Sequence, residues 1–198
     1  MALHVPVANM ALSHLGLTTK IEAADEDSVA ASEMRSFWDH ARKQTLKAYD
    51  WGFARKRITL ETDTEAPPDE WAYRYKYPVN CIAIRRIINP LGEDAAPIPY
   101  LLELNETGER NTILTNAEEA RARITFANPP VELYSPHFEL CISHLLAHYT
   151  AVALTGKRAY QKDQGDLYRA NIVVAGAHDA REDREPERKD AEWITARA

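Results

Sequence analysis

The sequence predicts an α+β protein that is mainly α. An antiparallel-type helical bundle comes from the N- and C-terminal segments, with a small antiparallel β-sheet insert between them and an extended C-terminal tail. Three observations predict it. Residues 27–60 read as one long amphipathic helix that ends in aromatics and feeds a strand. Between 55 and 134 the apolar period drops to two, and Pro, Gly and Asn break it into short runs. From Ser135 the helical period returns. The expected boundaries are 1–54 and 135–184 for the helical bundle, 55–134 for the β-rich insert and 185–198 for the flexible tail.

The first helix is expected over 6–15, with Pro6 in its first turn and Gly16 just beyond its end. Ile21 anchors the connection that follows. In the long helix, Ala30, Met34, Phe37, Ala41, Thr45, Ala48 and Tyr49 form an apolar stripe that Trp38 widens. Arg35, Asp39, Arg42, Lys43 and Lys47 are expected to face water. Asp27 or Ser28 caps the start and Gly52 is the expected stop. Tyr49, Trp51 and Phe53 then gather three aromatics that need burial. Ile58 and Leu60 point inward from the strand that begins at Arg55. Trp71, Tyr73, Tyr75 and Tyr77 alternate with Ala72, Arg74 and Lys76, giving an aromatic strand face that Pro78 ends. Further strands are expected at 81–88, 100–104, 112–115 and 123–126, the middle two as a hairpin. Ser135 and Pro136 start the next helix, with Phe138, Cys141, Ile142, Leu145, Tyr149 and Val152 as its stripe and Gly156 as its stop. A last helix covers 159–182, with Tyr160, Leu167, Ile172 or Val174, and Ala175 inward. Gly165 and Gly176 each weaken it by about 1 kcal/mol relative to Ala. Dense charge over 179–190 marks a solvated end. Trp193 and Ile194 beyond it form a candidate anchor for another chain.

A formal net charge of −6 argues against wrapping nucleic acid by bulk attraction. Cys81 and Cys141 lack C-x-x-C spacing, so neither a disulfide framework nor structural zinc is expected. The N-terminus is too short and polar for a signal peptide, and no run approaches the roughly 18 apolar residues a membrane helix needs. A soluble protein made in the cytoplasm is the expectation.

No dinucleotide fingerprint, P-loop or nucleophile elbow is present. Gly156-Lys157 lacks the upstream Gly and the Ser/Thr of a phosphate loop. His137, Cys141, His144 and His148 project from one side of one helix. His144 and His148 have metal-sharing spacing, but the acid of H-E-x-x-H is missing and one straight helix cannot converge four ligands on an ion. A polar seam between helices or subunits is the expected use of this face. No catalytic residue, cofactor or metal is expected. The basic runs at Arg55–Lys56–Arg57 and Arg85–Arg86 are expected to protect strand edges.

Several runs together resemble a known family. They are ANMALSHLG (8–16), LKAYDWGFARKRITL (46–60), WAYRYKYPVNCIAIRRI (71–87) and FELCISHLLAHYTAVALTG (138–156), over about residues 5–185. The chain resembles the tail tubular protein A family, head-to-tail adaptors of tailed bacteriophages. The resemblance implies a non-enzymatic virion protein at the head–tail junction, assembled in the host bacterial cytoplasm. It implies a homo-oligomeric, dodecameric ring between the portal protein and the tail nozzle or tail tube. Double-stranded DNA would pass through the ring's lumen without sequence-specific binding. Two other functions stay open: a metal-dependent hydrolase using the histidine face of 137–155, and a DNA-packaging accessory protein.

Overall fold

The computed structural model describes residues 2–92 and 95–182. Trp193, Ile194 and the rest of the expected tail lie outside them. The chain is a mixed α and β protein. In the order of the chain it has α1 (Val5–His14), α2 (Val29–Ala48), β1 (Arg55–Thr59), β2 (Tyr73–Lys76) and β3 (Cys81–Ile87). Then follow β4 (Tyr100–Leu104), β5 (Asn111–Thr115), β6 (Arg121–Phe126), α3 (Pro136–Thr155) and α4 (Arg158–Glu182).

Among the described residues the strands form two three-stranded antiparallel sheets rather than the single insert sheet expected. Sheet A has the order β1-β6-β3 and sheet B the order β2-β5-β4. Bridges Thr62–Tyr75 and Ile87–Ile98 join the two sheets at both sides, so the pairing runs round almost as a closed cycle. Leu60, Tyr75, Ile84, Ile87, Ile113, Ala122 and Ile124 fill the space between them. A second, larger core lies among the helices, where α3 packs against α1, α2 and α4. Period-two patterning identifies strands but not which sheet each joins, because sheet membership depends on non-local register.

The helix starts follow local chemistry. Ser28 Oγ accepts from the Ala31 amide at 3.2 Å, and Ser135 Oγ accepts from the Phe138 amide at 3.3 Å. Gly16 and Gly156 take positive φ, +71° and +69°, past the ends of α1 and α3. The end of α2 differs from expectation. It stops at Ala48, four residues before the expected stop at Gly52, and Tyr49 is already extended. Trp51 is fully buried, and its indole N–H donates to the Thr45 carbonyl at 2.9 Å, folding the chain back over the helix end.

Several inward and outward assignments also change. Arg42 is fully buried, not in water. Its guanidinium donates to the Ala127 carbonyl, to Asp39 Oδ1 at 2.8 Å and to Asn128 Oδ1 at 3.2 Å, pinning the loop after β6. Ala48 is exposed, and the buried stripe of α2 is Ala31, Met34, Trp38, Ala41, Thr45 and Leu46. Val152, Leu167 and Val174 are exposed. Tyr168 takes the inward place on α4. The two glycines of α4 are points of close approach. A Cβ on Gly165 would sit 2.8 Å from His148 Nδ1, and one on Gly176 2.8 Å from Tyr49 Cδ2. Arg74 is buried on the side of β2 expected to be polar, held by Glu65 at 2.7 Å.

Candidate functional site

The two cores meet at the end of α2. There the last carbonyls of the helix would be left without intrahelical donors. Arg85, on β3, supplies them: its Nη2 donates to the carbonyls of Leu46 (3.0 Å), Lys47 (3.1 Å) and Tyr49. Its Nε donates to Thr125 Oγ1 at 2.7 Å. A cation at a helix C-terminus also suits the helix dipole. Asp50 follows at once and lies 3.0 Å from Arg123, 3.4 Å from Arg55 and 4.0 Å from Arg85. One carboxylate thus ties the helix end to all three strands of sheet A.

The register explains why so many arginines converge there. Arg57 stands opposite Arg123, and Arg123 opposite Arg86, across β1, β6 and β3. Arg55 pairs with Thr125 and Thr59 with Arg121, on the same side as Arg57 and Arg123. A shift in the ladder between Ile84 and Arg86 brings Arg85 to Thr125 as well. The basic runs are therefore one arginine-rich outer face joined to the helices, more than separate guards of strand edges. Sequence spacing placed Arg55 and Arg57 on one side of a strand. It could not place Arg85, Arg123 or Asp50 beside them.

The aromatics of the 49–53 run line this same junction. Trp51 meets Phe138 edge-on at 4.9 Å between ring centres, and Phe53 meets Phe138 at 4.8 Å. Tyr49 packs edge-on against Trp51 at 5.5 Å and beside Gly176. Tyr73, Tyr75 and Tyr77 belong to the core between the sheets. Trp71 is half-buried in the turn before β2, outside the strand it was expected to begin.

The histidine face of α3 looks onto α4. His137 stacks on His178 with ring centres 4.3 Å apart. His144 Nδ1 donates to Gln164 Oε1 at 2.7 Å, and the Gln164 amide donates to the His14 carbonyl at 3.3 Å, which fixes the amide's orientation. His148 Nδ1 donates to the Gln161 carbonyl at 2.7 Å. His14 stacks on His144 at 4.1 Å. Burial, with His144 beside it, lowers the His14 pKa to about 4. Burial pushes the Cys141 thiol up to about 12, which suppresses the nucleophilic thiolate at neutral pH. Among the described residues no three His, Cys, Asp or Glu side chains converge as a metal site. The face is a polar seam between two helices.

An open cleft of about 740 Å³ lies between α2 and the start of β3. Lys43, Lys47 and His40 line one wall and Asn80, Cys81 and Asn128 the other. Elsewhere the surface leaves apolar groups in water. Leu101, Leu102 and Leu104 of β4 are exposed, as are Leu167, Val173 and Val174 of α4. No helix among the described residues is long and apolar enough to cross a membrane. No known protein family matches the chain, and no curated protein matches its sequence.

Proposed function

We propose that this chain is a head-to-tail adaptor of a tailed bacteriophage, a structural protein that forms a ring between the portal and the tail nozzle or tube and continues the DNA channel. The observation that carries this reading is the junction at Asp50. An adaptor must grip different partners at two ends and hold those ends in fixed relation. Asp50 with three arginines, Arg85 on the helix carbonyls and buried Trp51 couple a helical part rigidly to a β part. Asp50, Trp51 and Arg55 fall in the LKAYDWGFARKRITL run and Arg85 in WAYRYKYPVNCIAIRRI, two of the runs that carry the family resemblance, whereas Arg123 lies on β6 outside them. In this reading the four helices act as an antiparallel-type bundle facing neighbouring subunits and the portal. The β part reaches the nozzle or tube, and Trp193 and Ile194 anchor the tail on the portal. The ring is dodecameric, works in the virion and is non-enzymatic. An acidic balance lets DNA slide past without being held.

Imaging the purified chain with the portal ring of its phage tests the proposal. The expected result is a new ring of density on the narrow end of the portal. A bare portal beside free chains would contradict it.

A second reading, a DNA-packaging accessory protein, is favoured by the arginine-rich face of sheet A. Retention on double-stranded DNA at physiological salt, weakened by Arg57→Glu, would support it over the adaptor. The hydrolase reading gains no such support, since among the described residues no three His, Cys, Asp or Glu side chains converge as a metal site.

A further inference from the structure

Among the described residues, the strongest unpartnered feature is the outer edge of β4. Strand order places β4 at the edge of sheet B, paired on one side with β5. The amide of Asn105 donates to the Arg110 carbonyl at 2.8 Å and closes the hairpin. Counting back from that bond, Glu103 and Leu101 direct their backbone groups toward β5, whereas Leu104, Leu102 and Tyr100 direct theirs outward. Ile98, next in the same series, makes the isolated bridge to Ile87. Continuing that antiparallel bridge would set Tyr100 against Arg85 and Leu102 against Ala83, but among the described residues neither pair forms, so β3 and β4 part after it.

Side chains along this edge are unusual for an exposed one. Leu101, Leu102 and Leu104 are 43%, 44% and 60% exposed, and Glu103 is the one charge within the strand. Natural edges are usually blunted by charge, proline or a bulge. Leu102 also completes an apolar row across sheet B. Tyr75 pairs with Ile113 and Ile113 with Leu102, and the row then stops at the open edge.

We infer that β4 pairs antiparallel with β4 of a second copy of this chain. The register follows from the strand itself. Outward backbone groups at 100, 102 and 104 match a two-fold axis at Leu102, with Leu102 against its symmetry mate and Tyr100 against Leu104. That register extends the apolar row through both copies and sets Glu103 opposite Leu101. Centring on Glu103 instead would also align the backbone donors, but it would set two carboxylates directly opposite each other. A two-fold contact closes on itself, so it is separate from the contacts that would propagate a ring and stands independently of the adaptor reading.

The test is sedimentation of the full chain at micromolar concentrations. The unmodified chain should dimerise. Leu102→Lys and Leu102→Glu should each weaken the dimer at least about tenfold, because like charges then face each other across the axis. An equimolar mixture of the two variants should regain dimers. Unchanged helical circular dichroism would show that both variants fold. Three results would overturn the inference: an unmodified chain that stays monomeric, a Leu102→Lys chain that dimerises as well as the unmodified one, or a mixture that stays monomeric. Larger species indifferent to both substitutions would place association on another surface and also overturn it.

Discussion

The helical region closes its polar contacts, whereas the β region leaves an apolar strand edge open. Among the helices, imidazoles, an amide and an arginine are drawn inside and each finds a partner: His144 with Gln164 and His148 with Gln161 across the α3–α4 contact, and Arg42 with Ala127 and Asn128 of the loop after β6. In the β region the aliphatic residues of β4 lie outside, along a backbone edge that is unpaired among the described residues. Buried polar contacts are directional and lock one arrangement of α3 on α4. An open apolar edge is incomplete and gains free energy when covered. The helical seam is built to stay shut, and the strand edge is built to be met.

The comparison breaks most completely at Trp51. Trp51→Ala should cost about 3–5 kcal/mol by removing a fully buried side chain, and its indole bond at 2.9 Å to Thr45 goes with it. Urea unfolding would read this as a lower midpoint with little change in slope. Arg85→Met should cost about 2–3 kcal/mol, since it strips donors from the end of α2 and one cation from Asp50. A double-mutant cycle with Asp50→Asn should return a coupling of about 0.5–3 kcal/mol. Additive effects would mean that the two residues do not act as one joint.

Smaller changes sharpen the contrast. Gly176→Ala ought to gain about 1 kcal/mol from helix propensity alone. The added methyl would stand 2.8 Å from the Tyr49 ring, so thermal unfolding should instead show a net loss of about 1 kcal/mol. His14 gives the helical region a pH dependence. Its pKa is about 4 in the fold against an ordinary 6.5, so the unfolded chain binds the proton first. Stability is full above pH 6.5 and falls as pH drops toward 4. Because His14 is only half-buried, the loss from pH 7 to 5 should be about 1 kcal/mol, and His14→Asn should flatten the profile. The smallest effect is expected at the edge, where Leu102→Lys should shift monomer stability by less than about 0.5 kcal/mol.

Much of this was legible where the cause is local. Ser28, Ser135, Gly16 and Gly156 mark helix ends through their own side chains or their tolerance of positive φ. Alternation exposed the aromatic face of 73–77 and the 100–115 hairpin. The histidine face was visible from spacing, though its partners on α4 were not. What failed depended on distant residues. Arg42 reads as a solvent residue until the loop at Ala127 arrives above it. Gly165 and Gly176 read as weak points until His148 and Tyr49 come within reach. Leu167 reads as core by periodicity, yet Tyr168 takes the inward position on α4. The junction at Asp50 draws its cations from three strands, and no spacing along the chain contains it.

Residue-resolved hydrogen exchange on the full chain, dilute and concentrated, tests the central contrast most directly. The account predicts that core amides of α3 are strongly protected at both concentrations. The amides of Leu102 and Leu104 should exchange freely when dilute and become protected when concentrated. Protection of Leu102 and Leu104 that is already complete in the dilute chain, or that never appears on concentration while α3 stays protected, would contradict a closed helical seam beside an open strand edge.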